Sequence, residues 1–363
     1  MESTGGSGRR ALTRRTILAA SGAAAAQGKS VVAETTTSIG GCACGRIDVH
    51  SHFLPEVYVA ALAEAGLKTL DGGMPIPAWS AEAAIQMMDR QQIGTAMISL
   101  SSPSTHFLEP RRRAGLVREV NAAGAALMSA HPGRFGFFAT LPMPDVEASL
   151  AEIRHAFDVL GVDGVILETN VDGVYLGAPA FAPVFAELNR RRATLFLHPT
   201  SPACFEALAL GRPAPLLEFP LDTTRTLVDL LYARTLQTHP HIKVIVPHGG
   251  AALPALVARI AAFAGLPFID PRPASEAEVF ETLARLYYDV ALSGHPVAFA
   301  GLRRIAPLGH ILFGSDWPFT PEVGVARNIH QLAQNGLSEV ELAAIARENA
   351  ERVFPRLAAL RRS

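Results

Sequence analysis

Five residues of this sequence have side chains suited to holding a divalent cation and moving a proton: His50, His52, His198, His248 and Asp316. His50 and His52 close the run Ile47-Asp48-Val49-His50-Ser51-His52. On a strand, positions i and i+2 share a face. The two imidazoles therefore point the same way, and Asp48 joins them one step back. Such a pair is half of a metal site, or else two satisfied polar residues beside a turn. The other three also end short apolar runs: Phe196-Leu197-His198-Pro199, Ile245-Val246-Pro247-His248-Gly249-Gly250 and Phe313-Gly314-Ser315-Asp316-Trp317-Pro318. A lone histidine at a strand end is more often structural than a ligand. Four strand ends carrying such groups favour a shared cation. Three imidazoles and one carboxylate (His50, His52, His198 and Asp316) suit one ion of the Zn²⁺ type, with Mn²⁺ as the other candidate and one position open to water or substrate. His248 is then left over as an acid or base, since imidazole titrates near neutral pH, or as a group that orients a water. The two glycines after it allow a tight turn and leave room for a ligand. Phe53, Phe313 and Trp317 flank these residues; they line an apolar slot for an aromatic ring, or they simply pack.

Elements able to position these groups recur along the chain. From residue 46, short β-branched and aromatic runs alternate with longer Ala/Leu/Arg/Glu stretches. Strands are predicted at 46–52, 95–101, 135–141, 164–169, 194–199, 242–248, 286–292 and 310–316. Helices are predicted at 80–92, 112–130, 145–160, 179–192, 222–237 and 338–349, among others. Strands this apolar require burial on both faces. Their alternation with helices predicts a parallel α/β protein, best fitted by a (β/α)₈ TIM barrel with loop insertions at 71–79, 201–220 and 265–275. A doubly wound sheet is the other arrangement, but no Gly-rich nucleotide loop follows residue 52. In a barrel, the five residues would converge on the C-terminal rim, where such folds build their active sites.

The 363 residues are 49% hydrophobic and 18% charged, with a net charge of −1. That supports a large core and gives no electrostatic reason to expect nucleic acid or an anionic membrane as partner. Three cysteines are too few for a disulfide framework. Cys42-Ala-Cys44 reads as part of a flexible segment, or as a soft metal pair. Residues 1–45 read as a leader preceding one domain at 46–363. Thr13-Arg14-Arg15-Thr16-Ile17-Leu18, the small apolar run Ala19 to Ala26, Lys29 and Val31-Val32-Ala33 have the layout of a twin-arginine export signal. The expectation is a periplasmic or secreted protein; a disordered extension on a cytoplasmic protein is the alternative. The apolar run is too short to span a bilayer, and no other transmembrane segment is found.

Several segments together resemble the branch of the amidohydrolase superfamily that contains aminocarboxymuconate-semialdehyde decarboxylase. They include Asp48 to Pro55, His198-Pro199, His248 to Pro254 and Gly314 to Phe319. Ser99 to Pro103, Tyr175-Leu176-Gly177, Tyr287-Tyr288-Asp289 and Asn349 to Pro355 extend the similarity over about 46–357. Phe219-Pro220-Leu221-Asp222-Thr223-Thr224-Arg225, followed by His248 to Pro254, is most similar to the 6-methylsalicylate decarboxylase group. The resemblance implies non-oxidative, metal-dependent decarboxylation of an aromatic, salicylate-like acid or an unsaturated acid. It places His50, His52, His198 and Asp316 on metal positions and His248 on the catalytic histidine. It further implies a homodimer in which Arg259, eleven residues after His248, reaches the neighbouring subunit's substrate. The superfamily's carbamate lysine has no counterpart at Glu168-Thr169-Asn170, so one ion is expected. The proton donor is His248 or Asp316. A lactonase-type metal-dependent hydrolase is the alternative activity, because the same ligands can activate a water.

Overall fold

The computed structural model describes residues 45–360. The leader, with its paired arginines and both Cys42 and Cys44, lies outside the described residues. Among the described residues there are ten strands: β1 (Arg46–His52), β2 (Ile93–Ser99), β3 (Phe135–Thr140), β4 (Gly164–Glu168), β5 (Asn170–Val171), β6 (Val174–Tyr175), β7 (Thr194–His198), β8 (Lys243–Val246), β9 (Tyr287–Asp289) and β10 (Ile311–Leu312). Eight pair in parallel in the order β1-β2-β3-β4-β7-β8-β9-β10, which is the order of the chain. The last strand returns to the first through Val49 N–H to Phe313 O (2.9 Å), Asp316 N–H to His50 O (2.7 Å) and His52 N–H to Trp317 O (2.8 Å). These bonds close a (β/α)₈ TIM barrel. The seam is tight because a Cβ on Gly314 would stand 3.0 Å from those of His50 and Asp289.

Two apolar layers hold the barrel. Inside, Ile47, Val49, Met97, Phe138, Phe196 and Leu312 form one cluster. Outside, the opposite faces of the strands pack against the helices. The floor comes from the C-terminal segment, where Ala350, Val353, Phe354 and Leu357 join the interior cluster. Polar contacts fix it at the strand starts: Arg356 Nη2 pairs with Asp163 Oδ2 at 2.6 Å, and Lys243 Nζ donates to Val353 O at 3.0 Å. The catalytic residues must therefore occupy the opposite rim.

The eight predicted barrel strands are all present, within a few residues of the expected ends. The hairpin β5–β6 is an addition, too short to show period-two patterning. Its anchor is Asp222, which accepts from Thr169 Oγ1 (2.5 Å), Asn170 Nδ2 (2.9 Å) and Tyr175 Oη (2.5 Å). The helix expected at 222–237 runs Glu218–Tyr232, starting inside the predicted 201–220 loop. Pro220 does not block it, because the first turn needs no N–H from that residue. Arg234, with φ +61°, ends it before a separate turn at Thr235–Thr238. Further helices, such as Leu253–Ala264, Pro296–Leu302 and Glu322–Ala333, complete the outer ring.

Candidate active site

The rim of β1 departs from simple alternation. Ile47 and Val49 face the barrel interior, so a regular strand would turn His50 and His52 outward. The pairing of β1 with β2 slips between Asp48 and Ser51: Asp48 lies opposite Ala96, and Ser51 opposite Ile98. Three steps on β1 against two on β2 form a bulge, which changes the phase of the face. His50 thereby meets the interior Phe196 ring at 4.8 Å. Asp48 does not share their face, contrary to the sequence expectation. Its Oδ1 instead accepts the backbone N–H groups of His50 (3.0 Å) and Ser315 (2.9 Å), and burial pushes its carboxyl up to about 7. It ties β1 to the segment carrying Asp316.

His50, His52, His198 and Asp316 each direct a ligand atom into one cluster, all within 4.8 Å of one another. His50 Nε2 and His52 Nε2 are 3.1 Å apart, and Asp316 Oδ1 lies 3.3 and 3.2 Å from them. Separations of this size suit donors sharing an ion about 2.0–2.2 Å from each. The other ring nitrogens are engaged. His50 Nδ1–H donates to Asp289 Oδ2 (2.9 Å) and His198 Nδ1–H to Pro199 O (2.9 Å). His52 Nδ1 faces Ser99 Oγ at 3.3 Å. Partners on Nδ1 fix the tautomer and leave Nε2 free to ligate. Burial lowers His52 and, further, His198, keeping both imidazoles neutral as ligands must be. For His50 burial acts in the same direction, but the Asp289 and Asp316 carboxylates outweigh it and hold it up at about 10. Burial would raise Asp316; the His50 charge and the imidazoles of His248, His50 and His52 beside it instead hold it well below the usual range. The cluster thus combines two neutral imidazoles, His52 and His198, with an ionised carboxylate around a point where positive charge is favoured, as the raised His50 shows. The donor set fits a divalent ion, and these residues form a metal-binding site.

His248 stands beside the cluster. It follows β8 in a one-turn helix, His248–Gly250, with its ring centroid 5.0 Å from that of His50. Its Nε2 lies 3.6 Å from Asp316 Oδ2, and its Nδ1 has no hydrogen-bond partner among the described residues. Its backbone N–H donates to Asp289 Oδ1 at 3.0 Å. Asp289 therefore grips a metal ligand with one oxygen and the loop of His248 with the other. Sequence reading placed Tyr287-Tyr288-Asp289 among the similar segments but gave Asp289 no role; the available signal was a carboxylate at a strand end. The room beside Gly249 is taken by Ser293 rather than by a ligand, since a Cβ there would meet Ser293 Cβ at 2.8 Å. His248, Ala251, Leu292 and Asp316 all have positive φ (55°, 58°, 53° and 60°) and all line the same cavity. Left-handed backbone at non-glycine residues costs of order 1–3 kcal/mol each and gathers at functional sites.

That cavity, of about 300 Å³, opens above the cluster. Leu70, Met74, Phe219, Pro220, Leu292 and Phe319 make its apolar wall. The ring-binding residues expected from sequence lie elsewhere. Phe313 follows the inward Leu312 and so turns outward, beneath the Arg46 guanidinium at 5.8 Å. Phe53 packs outward on Phe137 at 5.4 Å. Trp317 is half-buried against the outer apolar layer, its backbone spent on barrel closure. Phe319, two residues further on, supplies the aromatic wall and meets His52 edge-on at 5.3 Å. Arg259 is exposed on helix Leu253–Ala264, over the Phe263 ring at 5.2 Å, and is absent from the cavity of its own chain. Glu168, at the position of the carbamate lysine, is buried with Oε2 3.6 Å from His198 Nδ1; burial holds it well above the usual carboxylate range.

A parallel barrel with a His-x-His pair, a third histidine and an aspartate on its C-terminal rim defines a metal-dependent enzyme of amidohydrolase type. The chain matches the family described as Amidohydrolase over residues 47–356 and belongs to it. Among characterised relatives, the decarboxylase yanB of Aspergillus niger is 38% identical over 335 residues, covering 86% of this chain and 88% of its own. The 6-methylsalicylic acid decarboxylase acuB of Aspergillus aculeatus is 37% identical, covering 86% and 96%. A solved structure described as an amidohydrolase II superposes with a TM-score of 0.79 at 34% identity, over 85% of this chain and 99% of that one. A dihydroxybenzoic acid decarboxylase from Polaromonas sp. JS666, with bound manganese and 2-nitroresorcinol, has the same fold (TM-score 0.73, 20% identity, 86% and 97% covered).

Proposed function

We propose that this chain is a metal-dependent, non-oxidative decarboxylase of an ortho-hydroxybenzoate of the salicylate kind. The observation that carries the proposal is one donor cluster, with His248 beside it, at the base of an apolar cavity sized for a single ring. Relatives named as decarboxylases favour this chemistry over lactone hydrolysis. His50, His52, His198 and Asp316 would hold the ion, zinc by its donor set with manganese as the other candidate, and when bound it would supply positive charge that draws the substrate's carboxylate and offsets charge developing on the ring.

The chain's own residues do the rest. The cluster sits at the cavity floor, so a carboxylate drawn to it leaves the ring against Phe319, Phe219 and Leu292. His248, paired with Asp316, delivers a proton to the ring carbon that bears the carboxylate. That carbon becomes tetrahedral, and its bond to the carboxylate leaves the ring plane. As the bond breaks, its electron pair restores the aromatic ring and CO₂ departs. Solvent then reprotonates His248. A positioned donor of this kind contributes roughly 10²–10⁴-fold. The apolar wall keeps bulk water from competing for the proton. Arg259 acts on substrate only across the interface of a homodimer. The twin-arginine leader would export the folded protein to the periplasm or beyond.

Purified protein is tested on hydroxybenzoates and lactones, with metal analysis of the same preparation. We expect CO₂ from an ortho-hydroxybenzoate and one ion per chain. H50A and H52A should lose both ion and turnover. H248A should keep the ion and lose about 10²-fold or more in turnover. Lactone hydrolysis without CO₂ would overturn the reading, and loss of the ion in H248A would overturn the role of His248.

A further inference from the structure

Besides Asp316, one carboxylate lines the cavity. Asp71 lies in the single turn Asp71–Gly73 and lines the wall with Leu70 and Met74. Its Oδ2 accepts three hydrogen bonds, from Ser102 Oγ (2.6 Å), Thr200 Oγ1 (2.9 Å) and Ser201 N–H (2.7 Å). These donors belong to the loops that leave β2 and β7, so the carboxylate is fixed to the rim itself. The turn is also held from behind: Gly72, at φ +65°, lies so close to Ala214 that a Cβ would stand 2.3 Å from the alanine Cβ. Asp71 Oδ1, in contrast, accepts no hydrogen bond from any described residue.

The rest of the lining sharpens the contrast. Beyond the metal-site residues and His248 it is apolar or hydroxylic, and no lysine or arginine is among the described lining residues. Arg212 lines an adjoining outer groove, whose wall Leu70 and Asp71 also share. The cavity therefore attracts an anion at its metal end and carries, in the Asp71 turn, a fixed carboxylate with no lysine or arginine among the described residues of the cavity lining.

We propose that Asp71 is a specificity-determining residue. Its free oxygen accepts a hydrogen bond from a hydroxyl on the substrate ring, and it repels a second carboxylate. The cavity thus takes monocarboxylates and rejects dicarboxylates, including open-chain diacids of the muconate type. This inference rests on the reading of the substrate as an aromatic carboxylate.

The test compares salicylates carrying a second carboxylate at ring position 4 or 5 with their methyl esters at that position. The ester is the larger ligand, so size and charge predict opposite orders. Binding is measured by titration calorimetry and turnover by CO₂ release. Wild-type protein should bind the ester on the order of a hundredfold more tightly than the diacid, because like charges juxtaposed in a binding site are strongly unfavourable. In D71N the amide oxygen can keep the three rim hydrogen bonds while the charge is lost. The ester-to-diacid ratio should then fall about tenfold or more, through KM rather than kcat. Equal or tighter binding of the diacid by wild-type protein overturns the inference, and that comparison needs no variant. An unchanged ratio in a folded D71N overturns it as well. Failure to release CO₂ from any hydroxybenzoate would sink the decarboxylase reading, while the calorimetric ratio would still judge Asp71.

Discussion

At the scale of single residues, Asp289 is the connection that matters most after the ligands. Its two oxygens join His50 Nδ1 (2.9 Å) to the backbone N–H of His248 (3.0 Å). A carboxylate behind a ligating imidazole raises its basicity and fixes its ring. D289N should therefore weaken metal binding by roughly 10–100-fold, read by competition with a chelating dye. An unchanged metal affinity in the folded variant would assign Asp289 to the loop alone. The ring wall was misread from sequence at the same scale. Phe313 and Trp317 flank Asp316 in the chain, but nearness in sequence does not set direction on a strand. Phe313 follows the inward Leu312 and must point away; Phe319 comes back only after the chain has turned at Asp316, φ +60°. No residue type in the sequence announced that turn.

Among the elements, the C-terminal segment makes the barrel a closed container. Phe354 is buried inside, 5.8 Å from Phe138, and Arg356 pairs with Asp163 beneath it. F354A should cost about 3–5 kcal/mol through the lost burial and the cavity left behind. The check is a lower denaturation midpoint at unchanged slope, with metal still bound; a loss under about 1 kcal/mol would show that the floor is not packed as described. The similar segment Asn349 to Pro355 thus has a structural role. The segment Phe219 to Arg225 contributes in a different way: Asp222 ties the hairpin β5–β6 to the helix that supplies Phe219 and Pro220 to the cavity.

For the molecule as a whole, stability should have an acid limb that is independent of the ion. His106 lies in the loop that follows β2, where burial, then the Arg113 charge, depress its imidazole to about 4 from 6.5. Its folded value is below its unfolded one, so the unfolded chain binds the extra proton first. The contribution is intact above pH 6.5 and declines as pH falls from about 6.5 to about 4, by on the order of 3 kcal/mol. H106N, which cannot titrate, should flatten this part of a stability-against-pH curve measured on metal-free protein. A limb of equal depth in H106N would place its origin elsewhere. Among the described residues, no helix is long and apolar enough to cross a membrane.

The sequence by itself determined the repeating parallel architecture, because apolar runs alternating with amphipathic stretches leave few ways to bury both faces of a strand. It also pointed to the side chains that could hold an ion, because few imidazoles and carboxylates end such runs, and His50, His52, His198 and Asp316 are among them. The tertiary structure decided which way they face. The bulge in β1, the left-handed turns at His248 and Asp316, and the inward–outward phase at Phe313 are set by pairing with neighbouring strands. So is the carboxylate of Asp71, which lies in a Gly-rich turn and is held over the cavity by loops from two other strands. Such contacts join residues far apart in the chain, and no local periodicity records them.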